Sequence, residues 1–230
     1  MGIEAQNEGA QNHGAQNDGT HANAEPAAET ASLRRSHALA AAFRAIMDAV
    51  AQPGAIQHAP RIDAPLPPLS PAAATVILTL VDETAPLWLA PPLASAPRLR
   101  DALRFSLGGA LIDQPEDAAF LLGDWESLAP VLPEARRGTP ERPDLSATAI
   151  IEVASLSAAR PPSGTASGAA LTGPGVPPQA PRTLWIGGDC DGLWTFQAGN
   201  RARFPLGIDF LFTAGERIAA APRRIAATPL

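Results

Sequence analysis

The chain has 230 residues, 46% of them hydrophobic, enough for one large domain or two small ones with a real core. Its formal charge is −6, but five acids (Glu4, Glu8, Asp18, Glu25, Glu29) precede residue 33 with no arginine among them, and the near-neutral remainder argues against nucleic-acid binding by bulk charge. All 17 basic residues are arginine, which excludes a P-loop lysine and a pyridoxal phosphate Schiff base in their usual forms; the single cysteine, Cys190, excludes an internal disulfide and fits a cytoplasmic setting.

Residues 4–19 carry a three-fold repeat, AQNEG, AQNHG, AQNDG. Polar and Gly-punctuated, it buries too little surface to offset its ordering entropy. Residues 1–31 are therefore expected to be a disordered tail, with self-association through Asn and Gln as the alternative, and residues 32–230 a single domain. Ser36 is the expected N-cap of a helix to Val50 or Ala51, with Leu39, Phe43, Ile46, Met47 and Val50 on its apolar face. Arg44 and Asp48 lie four apart on the other side, and Pro53-Gly54 ends the helix. Ala55 to His58 reads as a short strand and Pro60 to Pro71 as an extended, Pro-rich connection.

Thr75 to Val81 (TVILTLV), a polar turn and Leu87 to Ala90 read as strand, turn, strand. Pro97 to Ser106 reads as a helix with Leu99, Leu103 and Phe105 as its inward residues. Arg100 and Arg104 share a face, able to meet an anion or an acidic partner, or simply solvated. Asp117 to Leu122 is a strand candidate, and Asp124 caps a short helix from Trp125. Ala147 to Leu156 is a β-branched strand, joined as a hairpin to Ala169–Thr172, and Gly173-Pro174-Gly175 is a structural turn.

Leu184-Trp185-Ile186 precedes a tight loop, Gly187 to Gly192, and a helix from Trp194 to Arg201. Cys190 lies between two acids that disfavour its thiolate. Asp189 and Asp191 hint at a cation site but lack the further ligands of an Asp-rich calcium loop. Ile208 to Thr213 is apolar on both alternations except at Asp209. With Ala214-Gly215-Glu216-Arg217 and Ile218 to Ala221 it reads as a β-hairpin whose first strand is buried on both faces.

Two stretches, FRAIMDAVAQPG (Phe43 to Gly54) and PLGIDFLFTAGERIAAAPR (Pro205 to Arg223), resemble the phosphonate-metabolism family PhnH. Between them ILTLVDETAPLWL, LRFSLGGA and LTGPGV fall in that family's order, so the resemblance runs from about Ser36 to Arg224. It implies an α/β/α fold with a mixed central sheet, similar to the large domain of pyridoxal-phosphate-dependent transferases but without that cofactor. It also implies a subunit of the carbon-phosphorus lyase machinery, with PhnG, PhnI and PhnJ partners, and a homodimer when alone. Together with PhnL, such a set transfers the ribose triphosphate of ATP onto methylphosphonate. No catalytic residue is implied for this subunit. The N-terminal repeat and the Gly187 to Gly192 loop depart from the family pattern.

No zinc or di-iron pattern, no Gly-x-Ser-x-Gly elbow and no Gly-x-Gly-x-x-Gly after a strand occurs. No apolar run spans a membrane, and no secretory signal is expected. No metal, cofactor or nucleic acid is expected. Two function classes stand: an accessory subunit of the phosphonate-processing complex, or a free-standing small-molecule binder or enzyme. The second would use a cleft near the C-terminal hairpin, with Arg44, Arg104, Asp209 and Glu216 as polar contacts. Asp209 separates them, because a buried acid is structural if paired and functional if open to a pocket.

Overall fold

The computed structural model describes residues 24–62, 64–108 and 111–230, with side chains from Ser32 onward. The AQNxG repeat lies outside the described residues. Arg35–Leu230 forms one compact unit, which holds both β-sheets. The residues before it belong to a separate unit, of which only the helical stretch 24–34 is described.

Helix α1 runs Ala24–Ala51. It does not start at Ser36, because the Ala-, Glu- and Arg-rich stretch before that serine is itself strongly helix-forming. Residues 24–31, assigned to the tail from sequence, are thus helical. The buried stripe also differs: Ala42, Ile46 and Ala49 are fully buried, while Phe43, Met47 and Val50 are 48%, 39% and 37% exposed. Small alanines bring the helix close to the core and turn the larger residues outward. After β1 (Gln57–His58) comes the largest local correction: residues 71–80 form helix α2 (Pro71–Leu80) and not a strand. Ser70 Oγ accepts from the Ala73 N–H, and Pro71 occupies the first turn. This cap, followed by three alanines, overrides the β preference of TVIL.

The chain continues through β2 (Leu87–Leu89), α3 (Pro91–Ala94), α4 (Pro97–Leu107), β3 (Leu111–Ile112), β4 (Phe120–Gly123), α5 (Trp125–Leu128) and β5 (Thr148–Glu152). The cap of α5 is the expected one, Asp124 Oδ1 accepting from Ser127 N–H at 2.8 Å. On α4, Leu99 and Leu103 are buried as expected, but Phe105 is 92% exposed. Then follow β6 (Ser155–Ser157), β7 (Ala166–Thr172), β8 (Arg182–Gly187), α6 (Leu193–Arg201), β9 (Asp209–Ala214), β10 (Arg217–Ala221) and β11 (Ala226–Pro229).

Among the described residues the fold is mixed α/β. A seven-stranded sheet has the order β1-β10-β9-β5-β4-β2-β3. Its β9-β5-β4-β2-β3 part is parallel, and β10 and β1 add antiparallel to it. On one face Leu87, Leu89, Leu122, Ile150, Leu211 and Ile218 share a core with α1, α2 and α4. On the other, Leu121, Ala149, Ile151, Phe210 and Phe212 pack with α5, α6 and a second sheet. Strand β9 is therefore buried on both faces, as its apolar run requires, and β9–β10 is the expected hairpin with register Ala214↔Arg217.

The second sheet, all antiparallel in the order β11-β7-β8-β6, is absent from the sequence reading. The strand expected over Ala147 to Leu156 breaks at Val153-Ala154. Val153 N–H bonds Thr213 in one sheet and Ala154 N–H bonds Gly187 in the other, so the chain steps between sheets. The expected hairpin between this strand and Ala169–Thr172 does not form. Both β6 and β7 pair with β8. The Gly173-Pro174-Gly175 turn is structural: a Cβ on Gly175 (φ +82°) would lie 2.0 Å from the Ala51 carbonyl oxygen at the end of α1.

Candidate functional site

The four residues singled out by sequence do not converge on one cleft. Arg44 is exposed on α1, and Arg104 is exposed near the end of α4. Asp209 opens β9, whereas Glu216 lies in the turn beyond its other end. A six-residue strand separates those two acids by about 20 Å. Glu216 Oε2 meets His58 Nε2 at 3.2 Å in a largely exposed pair.

Asp209 is paired, in the way that makes it a lock of the fold. Its Oδ1 accepts from the Arg223 backbone N–H at 2.8 Å and from Arg223 Nε at 3.1 Å, and its Oδ2 lies 2.6 Å from Arg223 Nη2. Arg223 Nη1 also donates to the Pro143 carbonyl at 2.9 Å and to Ser146 Oγ. One guanidinium thereby ties the entry of β9 to the loop that enters β5. A neutral clamp lies nearby. Asn200 Oδ1 accepts from Ile208 N–H at 2.8 Å, and Asn200 Nδ2 donates to the Ile208 carbonyl at 2.8 Å and to Gln197 Oε1 at 3.1 Å. These buried groups satisfy one another and leave little polar capacity for a ligand.

The carboxyl ends of the parallel strands differ. The order β3-β2-β4-β5-β9 reverses direction at β2, so a crevice opens between the ends of β2 and β4, the position where open α/β sheets receive ligands. A cavity of about 90 Å³ lies there, lined by Ala90, Pro92, Leu93, Gly123, Asp124, Ser127 and Glu152. That volume holds about three waters. Glu152, at the end of β5, accepts from the Ser70 N–H at 2.9 Å. Burial pushes its carboxyl above the usual range, and the Ser70 donation pulls the other way. The group can hold a proton at pH values where an exposed glutamate has lost it. Beside this crevice, at the sheet edge, a cleft of about 400 Å³ is lined by Trp88, Leu89, Pro91, Arg100 and Asp113, among others. Arg100 reaches Asp113 at 3.8 Å.

Cys190 is buried, and its thiol is pushed up to about 11 by burial first and then by the charges of Asp189 and Asp124. That agrees with a poor nucleophile. Asp191 uses its carbonyl to accept from Trp125 Nε1 at 2.6 Å. Among the described residues no group of three or more His, Cys, Asp or Glu side chains is placed to hold a metal ion.

Sequence reasoning missed Glu152 and Arg223. Glu152 could have been found by the logic applied to Asp209, since it is also a lone acid closing an apolar strand. Arg223 carries no local signal of its role, because its partners lie up to 80 residues away.

Comparison with known proteins comes from two directions. The model of the family described as bacterial phosphonate metabolism protein (PhnH) matches residues 31–228. The chain is 34% identical, over 183 residues, to a Rhizobium meliloti (strain 1021) protein named alpha-D-ribose 1-methylphosphonate 5-triphosphate synthase subunit PhnH; the match covers 79% of this chain and 86% of that protein. It is 31% identical, over 182 residues, to the putative C-P lyase subunit protein HtxG of Stutzerimonas stutzeri, covering 79% of this chain and 82% of the relative.

Proposed function

Because the chain belongs to the bacterial phosphonate metabolism (PhnH) family, we propose that it is a subunit of a carbon-phosphorus lyase complex acting in methylphosphonate catabolism. Its role there is assembly and support for the transfer of ribose triphosphate from ATP to the phosphonate. The observation that carries this reading is the extent of the match: 86% and 82% of the length of two relatives, both named as subunits. The expected partners are PhnG-, PhnI- and PhnJ-like chains, in the cytoplasm, with a homodimer when the protein is alone. The finer architecture inferred is a layered α/β/α core related to the large domain of pyridoxal-phosphate-dependent transferases.

The surface agrees with a role in protein contact. Phe43, Met47 and Val50 are four and three residues apart on the outer side of α1 and are all exposed. A contiguous exposed apolar stripe is a mark of an interaction surface. Asp209 and Glu216 sit toward opposite ends of β9, which weighs against one cleft that uses both.

The test is co-purification from phosphate-starved cells given methylphosphonate, with the protein tagged at its C-terminus. PhnG-, PhnI- and PhnJ-like chains are expected in comparable amounts, and Met47→Glu is expected to reduce their recovery at least fivefold without lowering the yield of folded protein. Recovery of this chain alone under those conditions would end the subunit reading.

A further inference from the structure

Two arginines from distant parts of the chain face one cavity with no acid between them. The cavity, of about 170 Å³, lies against the C-terminal half of α6. Arg137 enters it from the loop before β5, and Arg203 from the turn after α6; Pro133, Phe196, Gly199 and Asn200 form the remaining walls. Both arginines have fixed backbones. Arg137 makes a β-bridge to Ser146, and the Arg203 N–H bonds the carbonyl of Asn200, the residue that clamps Ile208.

Three other guanidiniums in the fold meet an acid. Arg223, Arg142 and Arg100 reach carboxylates at 2.6, 2.8 and 3.8 Å. Among the described residues neither Arg137 nor Arg203 has a carboxylate within 4 Å. The Arg137 guanidinium has one weak bond, from Nη2 to the Leu132 carbonyl at 3.4 Å. Burial lowers the Arg137 pKa and the neighbouring Arg203 charge lowers it further, so the two guanidiniums are close enough to repel. Like charges held together by a rigid backbone around a cavity are relieved by an anion that bridges them, and the fork geometry of guanidinium suits tetrahedral oxyanions.

We propose that the cavity between Arg137 and Arg203 is a binding site for a small tetrahedral oxyanion of the phosphoryl or phosphonyl class. Its volume is below the roughly 300–1,000 Å³ typical of sites for drug-sized ligands, so inorganic phosphate or a short alkyl phosphonate fits and a whole nucleotide does not. Phe196 and Pro133 give it an apolar wall that a methyl substituent can face. Charge and shape in the free chain call for an oxyanion, and the choice of the phosphoryl or phosphonyl class among oxyanions rests on the subunit reading.

Isothermal titration calorimetry on the full-length protein, at constant ionic strength, tests this with inorganic phosphate and methylphosphonate as separate ligands. Saturable binding at one site is expected for at least one of them. Arg203 is exposed, so Arg203→Gln leaves packing intact and is expected to weaken binding at least tenfold. Gly199 is helical, and a Cβ there meets nothing within 4 Å, so Gly199→Leu is expected to occlude the cavity with the same loss. Arg98→Gln, an exposed arginine on α4, is expected to change affinity less than twofold. The ratio of the two affinities tells phosphate from phosphonate as the ligand. The proposal is overturned if neither anion binds saturably, if Arg203→Gln binds within twofold of wild type, or if Arg98→Gln weakens binding as much.

Discussion

At the amino end of the parallel strands Asp209 receives three bonds from Arg223. At the carboxyl end of the adjacent strand Glu152 is met by a single neutral residue, Ser70, whose backbone N–H donates at 2.9 Å beside a small cavity. Strands β5 and β9 are in register, Thr148↔Asp209 to Glu152↔Thr213, so the two acids close the two ends of one buried pair. The chemistry that distinguishes them is the partner, a charged guanidinium at Asp209 and a neutral serine at Glu152. A carboxylate with a bidentate arginine and a backbone N–H fixes the chain around it. A carboxyl met by one neutral residue in a desolvated place drifts toward its protonated form. The amino end is thus a lock, and the carboxyl end is the place where this fold keeps an under-coordinated acid.

The lock gives the largest effect. Asp209→Asn leaves Arg223 largely buried without its counter-charge, and breaking such a pair costs about 3 kcal/mol. Urea unfolding should show that loss as a lower midpoint with an unchanged m-value. A loss under about 1 kcal/mol would erase the contrast with Glu152, since it would place the pair among ordinary surface bridges.

Glu152→Gln should act in the other direction. A carboxyl raised in the folded state favours folding most fully below its unfolded pKa, near 4.5, and that contribution is lost as pH rises through the higher folded value. Wild-type stability should therefore carry a declining component above pH 4.5 that Glu152→Gln removes, leaving the variant at least as stable as wild type at pH 7. Melting temperatures from pH 4 to 8, read as the difference between the two proteins, check this. A variant less stable than wild type at pH 7 would mean that the charged form is favoured and the comparison is wrong.

Glu216→Gln calibrates the scale. Its bond to His58 joins side chains 47% and 69% exposed, so the change should be a few tenths of a kcal/mol. A larger loss would show that the hairpin tip belongs with the locked regions.

Much of the scaffold was legible from local signals. The double burial of β9, the β9–β10 turn, the Asp124 cap and helix α6 all follow from residues within a few positions of each other, whereas the poor nucleophilicity read for Cys190 from its flanking acids comes first from burial. Helix α2 was legible too, through Ser70-Pro71 and three alanines, but the β-branched run after them drew the reading toward a strand. The candidate site was less accessible. Asp209 stood out as an acid in an apolar strand, but its partner could not be named, and Arg137 and Arg203 gave no sign of sharing a cavity.

Sequence by itself determined the family, the Asp124 cap, the apolar run of β9 and the absence of lysine, because each depends on residue identity at short range. Tertiary structure alone decided which face of α1 is buried, that β6 and β7 both pair with β8, and which arginine neutralises Asp209. Those outcomes depend on contacts between segments tens of residues apart. Several pairings are compatible with the same local pattern, and only packing of the whole core selects among them.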